Sequence, residues 1–208
     1  MLTYQINVEY LGTNFVGWQI QKNGLSVQEA LEKVLSKFLK DKIRIIGSGR
    51  TDAGVHALGQ VVAFDTDSNH PLERVTAALN FHLPKDIAVK STYEVDTEFD
   101  PRRHALSRTY AYSVINTPAR TPLMRRTSHH VQEPLDMKLM QRSAKLFVGL
   151  WDFSRFAATP AKLEVSTVRE IFESVITRDG DMITFRIRGS SFLQHQVRRM
   201  AGILVETG

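Results

Sequence analysis

Tyr4, Ile6, Val8 and Tyr10 alternate with Thr3, Gln5, Asn7 and Glu9 at the start of the chain, the period of a strand with one buried face. The period then changes. Val27, Ala30, Leu31, Val34, Leu35, Phe38 and Leu39 recur at helical spacing behind Ser26 and Glu29, which have capping-box spacing. Strands are expected at Ile43 to Ile46, Gln60 to Asp65 and Ile87 to Val95, with a helix from about Leu72 to Phe81 between the last two. The first half therefore reads as α/β.

The second half repeats this grammar. Thr109 to Ile115 reads as a strand, and Leu135 to Val148 as a helix with Leu139, Met140, Ser143, Ala144, Leu146 and Phe147 inside. Val168 to Thr177 and Met182 to Arg188 read as a hairpin across Asp179-Gly180, and Phe192 to Val205 as a closing helix. The similar element order suggests an internal structural duplication, without a residue-level repeat. Pro101 and the basic cluster between Phe99 and Leu106 mark a boundary, giving halves 1–104 and 105–208.

Composition removes several classes. A chain of 208 residues with 42% apolar content can bury one generous core or two smaller ones. The absence of cysteine excludes disulfides, a thiolate nucleophile and cysteine-held metal sites, leaving the seven histidines as metal ligands to consider. No apolar run approaches the roughly 18 residues of a membrane span, and the start is not an apolar signal core, so no membrane partner is expected and cytoplasm is the default location. A net charge of +5 suits a polyanionic partner.

Gly47 to Ala57 reads GSGRTDAGVHA and sets Arg50 two positions before Asp52 in a glycine-rich backbone. Glycines open backbone angles closed to other residues and let a ligand approach the main chain. If the segment is extended, both side chains leave one side. A tight turn with a surface ion pair accounts for the same spacing. The segment lacks the four-residue run and Gly-Lys-Ser/Thr of a P-loop, and Ile46 and Arg50 stand where a nucleophile elbow needs glycines around Ser48. Asp52 and His56 could share a metal on a helix, but glycine disfavours that helix, and His56 reads as a packed or hydrogen-bonded histidine.

From Pro101 to His130 there are six arginines (Arg102, Arg103, Arg108, Arg120, Arg125, Arg126) and no acid, which reads as a basic arm. Arginine's planar fork suits phosphate, and Tyr110 and Tyr112 offer rings on which unpaired bases stack. A solvated basic surface is the alternative.

Six ordered blocks then carry a resemblance: GTNFVGWQIQ (Gly12 to Gln21), SVQEALEKVL (Ser26 to Leu35), GRTDAGVHALGQVVAF (Gly49 to Phe64), SRTYAYSV (Ser107 to Val114), WDFSRFAA (Trp151 to Ala158) and FLQHQVRRMAG (Phe192 to Gly202). Through nearly all its length the chain resembles the TruA family of tRNA pseudouridine synthases. The resemblance implies an α+β fold of two ferredoxin-like halves with antiparallel-rich sheets and a catalytic cleft between them. It implies isomerisation of uridines on the 3′ strand of the tRNA anticodon arm by a homodimer that uses neither metal nor organic cofactor.

By position, Asp52 matches the family's catalytic aspartate, Arg50 its motif neighbour, Tyr110 the aromatic that packs on the target base, and Arg198 the cation that pairs with the aspartate. Arg102, Arg103, Arg108 and Arg199 are expected to contact the RNA, with Tyr110. A carboxylate suffices for the chemistry, by attack at C6 of the ring or C1′ of the sugar. The family continues past the helix that ends here at Gly208 into a further strand segment, so the second half is expected to lack its last strand. A catalytically silent RNA-binding protein and a metal-dependent phosphate-ester enzyme are the rival readings.

Overall fold

In the computed structural model, which describes residues 1–158 and 166–208, the opening alternation forms β1 (Leu2–Tyr10). Tyr4, Ile6, Val8 and Tyr10 are all buried on one face. The chain divides into two units, Met1–Ala105 and Leu106–Gly208.

In the first unit β1 is followed by α1 (Val27–Leu39), β2 (Ile45–Gly47), β3 (Ala57–Thr66), α2 (Leu72–His82) and β4 (Ile87–Val95). The sheet runs β2-β3-β1-β4, antiparallel throughout. Ser26 caps α1 by accepting the Glu29 N–H at 3.1 Å, and the helix presses Val27, Leu31 and Leu35 against β1 residues Ile6 and Val8 in a single core. β2 begins two residues later than the expected Ile43. The reason lies in α1: Ser36 Oγ accepts the Ile43 N–H at 3.0 Å, so that part of the backbone bonds to the helix and not to a strand. Glu32, buried in the same helix, accepts the Ile45 N–H at 3.2 Å and Arg44 Nη1 at 2.6 Å, which satisfies a carboxylate that burial alone would penalise.

β3 starts three residues earlier than expected, and its extension carries a bulge. Val8 pairs with Gln60 while Tyr10 pairs with Ala57, so Leu58 and Gly59 together oppose Glu9 alone. Bulges bend a strand and redirect what precedes it, here the loop Ser48–His56.

The second unit contains β5 (Arg108–Asn116), β6 (His129–Val131), α3 (Met137–Lys145), β7 (Gly149–Asp152), β8 (Val168–Asp179), β9 (Met182–Gly189) and α4 (Gln196–Thr207). Its sheet runs β6-β5-β9-β8-β7, with only the β5/β6 pair parallel. The run β1-α1-β2-β3-α2 of the first unit recurs as β5-α3-β8-β9-α4, with the same neighbours: β9 lies between β5 and β8 as β3 lies between β1 and β2. Both units are mixed α+β with antiparallel-rich sheets, as expected from the sequence.

Several boundaries differ from expectation, each for a local reason. α3 spans nine residues instead of running from Leu135 to Val148. Asp136 caps it by accepting from the Lys138 and Leu139 N–H groups. At its other end Leu146, Phe147 and Val148 each bond three residues back, tightening the chain before Gly149 at φ +119°. Leu139 and Leu146, expected inside, are 43% and 75% exposed; Met140 and Ala144 are buried, and Met137 and Phe147 extend their stripe. The hairpin turns on Gly180 and Asp181, one residue later than expected, with Gly180 at φ +55° in the first central position. α4 starts at Gln196 because His195 sits at φ 62°, outside the helical region. β6 and β7 are too short to show a period in sequence. Among the described residues no helix is long and apolar enough to cross a membrane.

Candidate active site

Asp52 stands in a loop whose main chain is held on both sides. β2 ends at Gly47 and β3 begins at Ala57, so Ser48–His56 is not a strand and the shared-face argument for Arg50 and Asp52 does not apply. At the loop's entrance the Ser48 N–H donates to Val61 O at 2.8 Å and Gln60 Nε2 to Gly49 O at 2.6 Å. Immediately before Asp52, Thr51 is fixed twice: its carbonyl accepts the Trp18 N–H at 3.0 Å, and its hydroxyl shares a 2.8 Å hydrogen bond with Tyr10 Oη. Immediately after, the Val55 N–H donates to Asp52 O at 3.2 Å across a turn that has Gly54 at φ +78°, the third-position angle of a type II turn.

His56 completes the clamp. Its Nδ1 accepts the Gly12 N–H at 2.9 Å, which places the ring proton of the neutral imidazole on Nε2. The hydrogen-bonded reading of His56 matches this geometry. Asp52 is half-buried and Arg50 exposed. What the loop supplies is a carboxylate on a rigid backbone, the requirement for a positioned nucleophile.

The seat of this loop is a set of residues to which sequence reasoning gave no role. A Cβ on Gly17, already at φ +111°, would lie 2.8 Å from Thr51 O, and one on Gly12 would run into the Val55 carbonyl. One on Gly47 would lie 2.7 Å from the ring of Trp18, which is 2% exposed and packs beside Tyr10. The signal was present in the block GTNFVGWQIQ, where two glycines five residues apart flank apolar residues, but nothing in the block names its partner.

The second unit brings Arg108, Tyr110 and Arg198 to one side of its own sheet. Arg108, Tyr110, Tyr112 and Val114 alternate along β5, so they share a face. Tyr110 and Tyr112 pack against the core there, and Val114 is part of it. Tyr110 meets Phe192 edge to face, with ring centroids 5.1 Å apart and planes at 84°. Arg108 Nη1 donates to Ser190 O at 2.8 Å. Gln196, fully buried, accepts the Leu193 N–H at 2.8 Å and so closes the turn between Phe192 and α4. Arg198 is exposed on the first turn of that helix, near enough to Tyr112 to act on it. Burial pushes the Tyr112 hydroxyl up from its ordinary value, and the Arg198 charge pulls it partly back.

The arginines are divided between the two units. Arg102 and Arg103 belong to a turn of the first unit, where both backbone N–H groups donate to Asp100 Oδ1 at 2.7 and 3.1 Å, and Arg103 Nε lies 3.5 Å from Asp100 Oδ2. The acid-free stretch thus begins one residue after an acid that these arginines engage. The Arg103 N–H bond is the first of the causes that hold the Asp100 carboxyl below the usual carboxylate range. Arg199 donates to the carbonyls of Ala157 and Arg155, tying α4 to the segment after β7. Among the described residues no group of three or more histidine or acidic side chains is arranged to hold a metal ion.

Comparison with known proteins matches a family model described as tRNA pseudouridine synthase over residues 6–102 and 143–208, which include Asp52, Arg50 and Arg198. Among similar curated proteins are the tRNA pseudouridine synthase A of Pelobacter propionicus and that of Geobacter sulfurreducens, each 43% identical over the whole chain and 85% of their own length. That of Myxococcus xanthus is 42% identical over 98% of this chain and 77% of its own. On the extent of the family match and the identity to these relatives, this chain belongs to the tRNA pseudouridine synthase family.

Proposed function

We propose that the chain isomerises uridine to pseudouridine on the 3′ strand of the tRNA anticodon arm, with Asp52 as the nucleophile. The observation that carries this reading is the family match across the Asp52 loop and α4. In the reaction the bond from C1′ to N1 breaks, the uracil turns while retained, C1′ bonds to C5, and the proton lost from C5 is balanced by one gained at N1. Asp52 initiates it covalently, at C6 or at C1′, and is released when the new bond has formed. The clamped backbone around Asp52 supports this role, because a nucleophile held in place gives up less freedom on reaching the reacting atom.

In this reading Arg198 is the cation that pairs with Asp52 and aims it. Tyr110 covers the extruded ring, and its hydroxyl assists removal of the C5 proton. Arg50 fills the space the base leaves, since removing a base from its stack costs a few kcal/mol. Arg102, Arg103, Arg108 and Arg199 meet the RNA backbone. The enzyme works in the cytoplasm as a homodimer, without metal or organic cofactor.

The test is to incubate the purified chain with unmodified tRNA in the presence of a chelator and map pseudouridine chemically. Pseudouridine on the 3′ strand of the anticodon arm is expected. Retention of tRNA with no isomerised uridine would make the chain a silent RNA-binding protein, and activity that stops in chelator would point to metal-assisted chemistry.

A further inference from the structure

In the second unit, away from β5's tyrosine face, Ile115 and the chain between β5 and β6 line a half-open cavity of about 910 Å³, with Ala119, Arg120, Thr121, Arg125, His129 and His130 among its walls. We propose that this cavity seats a ribose-phosphate segment of an RNA backbone, an inference that rests on the tRNA reading above. Four of its lining residues are arginine or histidine and none is acidic. Among the described residues no hydrogen bond or ion pair engages the Arg120 or Arg125 guanidinium, and both side chains are exposed. Two arginines lining one cavity without a carboxylate favour phosphate, which accepts paired hydrogen bonds from a planar guanidinium fork.

The cavity's frame is set before any ligand arrives. His130 Nε2 donates to Thr117 O at 2.8 Å, pinning the loop's start to β6. Thr117 Oγ1 donates to Ala119 O at 2.6 Å, and Ser128 Oγ to Met124 O at 2.8 Å, closing the two turns between. A frame ordered in advance lowers the entropy lost on binding. Ile115, Ala119 and Pro122 provide an apolar wall suited to a sugar, and the volume exceeds what a lone phosphate fills.

The test measures tRNA binding over a salt series for the full chain and for Arg120→Gln/Arg125→Gln, with thermal melting to show that the variant is folded. Affinity is expected to fall about tenfold and the salt slope to become shallower by roughly 1.5 to 2. A matched loss of charge on α3, Arg142→Gln/Lys145→Gln, should keep the wild-type slope. Unchanged binding in the first variant, or an equal loss in the second, overturns the site. The His129 and His130 ring resonances, followed by NMR, should shift at lower concentrations of tRNA than of inorganic phosphate. A shift with phosphate alone makes this a small-anion site and overturns the RNA assignment, and no shift with either overturns the site. If the wild-type chain makes pseudouridine while these arms fail, only this inference falls; if it neither binds nor isomerises tRNA, the proposed function falls with it.

Discussion

Asp52 owes its position to its neighbours. Thr51 is held through its carbonyl by Trp18 and through its hydroxyl by Tyr10, while His56 is held by the Gly12 N–H. Gly17 is a sensitive support, since its φ of +111° and its approach to Thr51 O both exclude a side chain. Gly17→Ala should destabilise the fold by about 1–3 kcal/mol, as residues forced into such angles do. It should also lower the turnover rate more than tRNA affinity, because it shifts the loop that carries Asp52 and leaves Arg102, Arg103, Arg108 and Arg199 alone. Urea unfolding and single-turnover kinetics check the two halves of this prediction, and a variant with wild-type turnover would detach the seat from the chemistry. The Asp52 motif was legible in sequence because it is contiguous. Its seat was not, since Gly12 and Gly17 meet residues 51 and 55 only after β1 and β3 have paired.

Among the elements, those with long periods were legible and those decided by side-chain bonds were not. β1 and α1 follow their patterns because one face of each is buried in the same core. β2 starts late because Ser36 takes the Ile43 N–H, and α4 starts late because His195 leaves the helical region, neither of which apolar spacing reports. β5 shows the mixture. Its alternation was readable, but that Tyr112 lies near Arg198 depends on where α4 packs. Burial raises the Tyr112 hydroxyl above its ordinary value. A tyrosine raised in the folded state contributes stability that is complete below its unfolded value, about 10, and is lost as pH rises through the folded value. Tyr112→Phe should therefore unfold with less sensitivity to pH than wild type between about pH 9 and 11. Equal slopes of melting temperature against pH would place the alkaline loss elsewhere.

Over the whole molecule, binding and chemistry belong to different groups and should separate. The two units repeat one order of elements, a duplication visible in sequence only as similar grammar because the residues that fill it differ. Arg102→Gln/Arg103→Gln should weaken tRNA binding and make its salt slope shallower by roughly 1.5 while leaving the melting temperature near wild type, since both side chains are exposed. An unchanged slope would remove that turn from the RNA interface. The central claim is that one carboxylate on a clamped loop begins the isomerisation. Asp52→Asn keeps its size and removes its nucleophile, so the most direct measurement compares wild type and this variant on unmodified tRNA, mapping pseudouridine and measuring affinity on the same preparations. The account predicts wild-type affinity with pseudouridine formation nearly abolished; undiminished pseudouridine from the variant would contradict it.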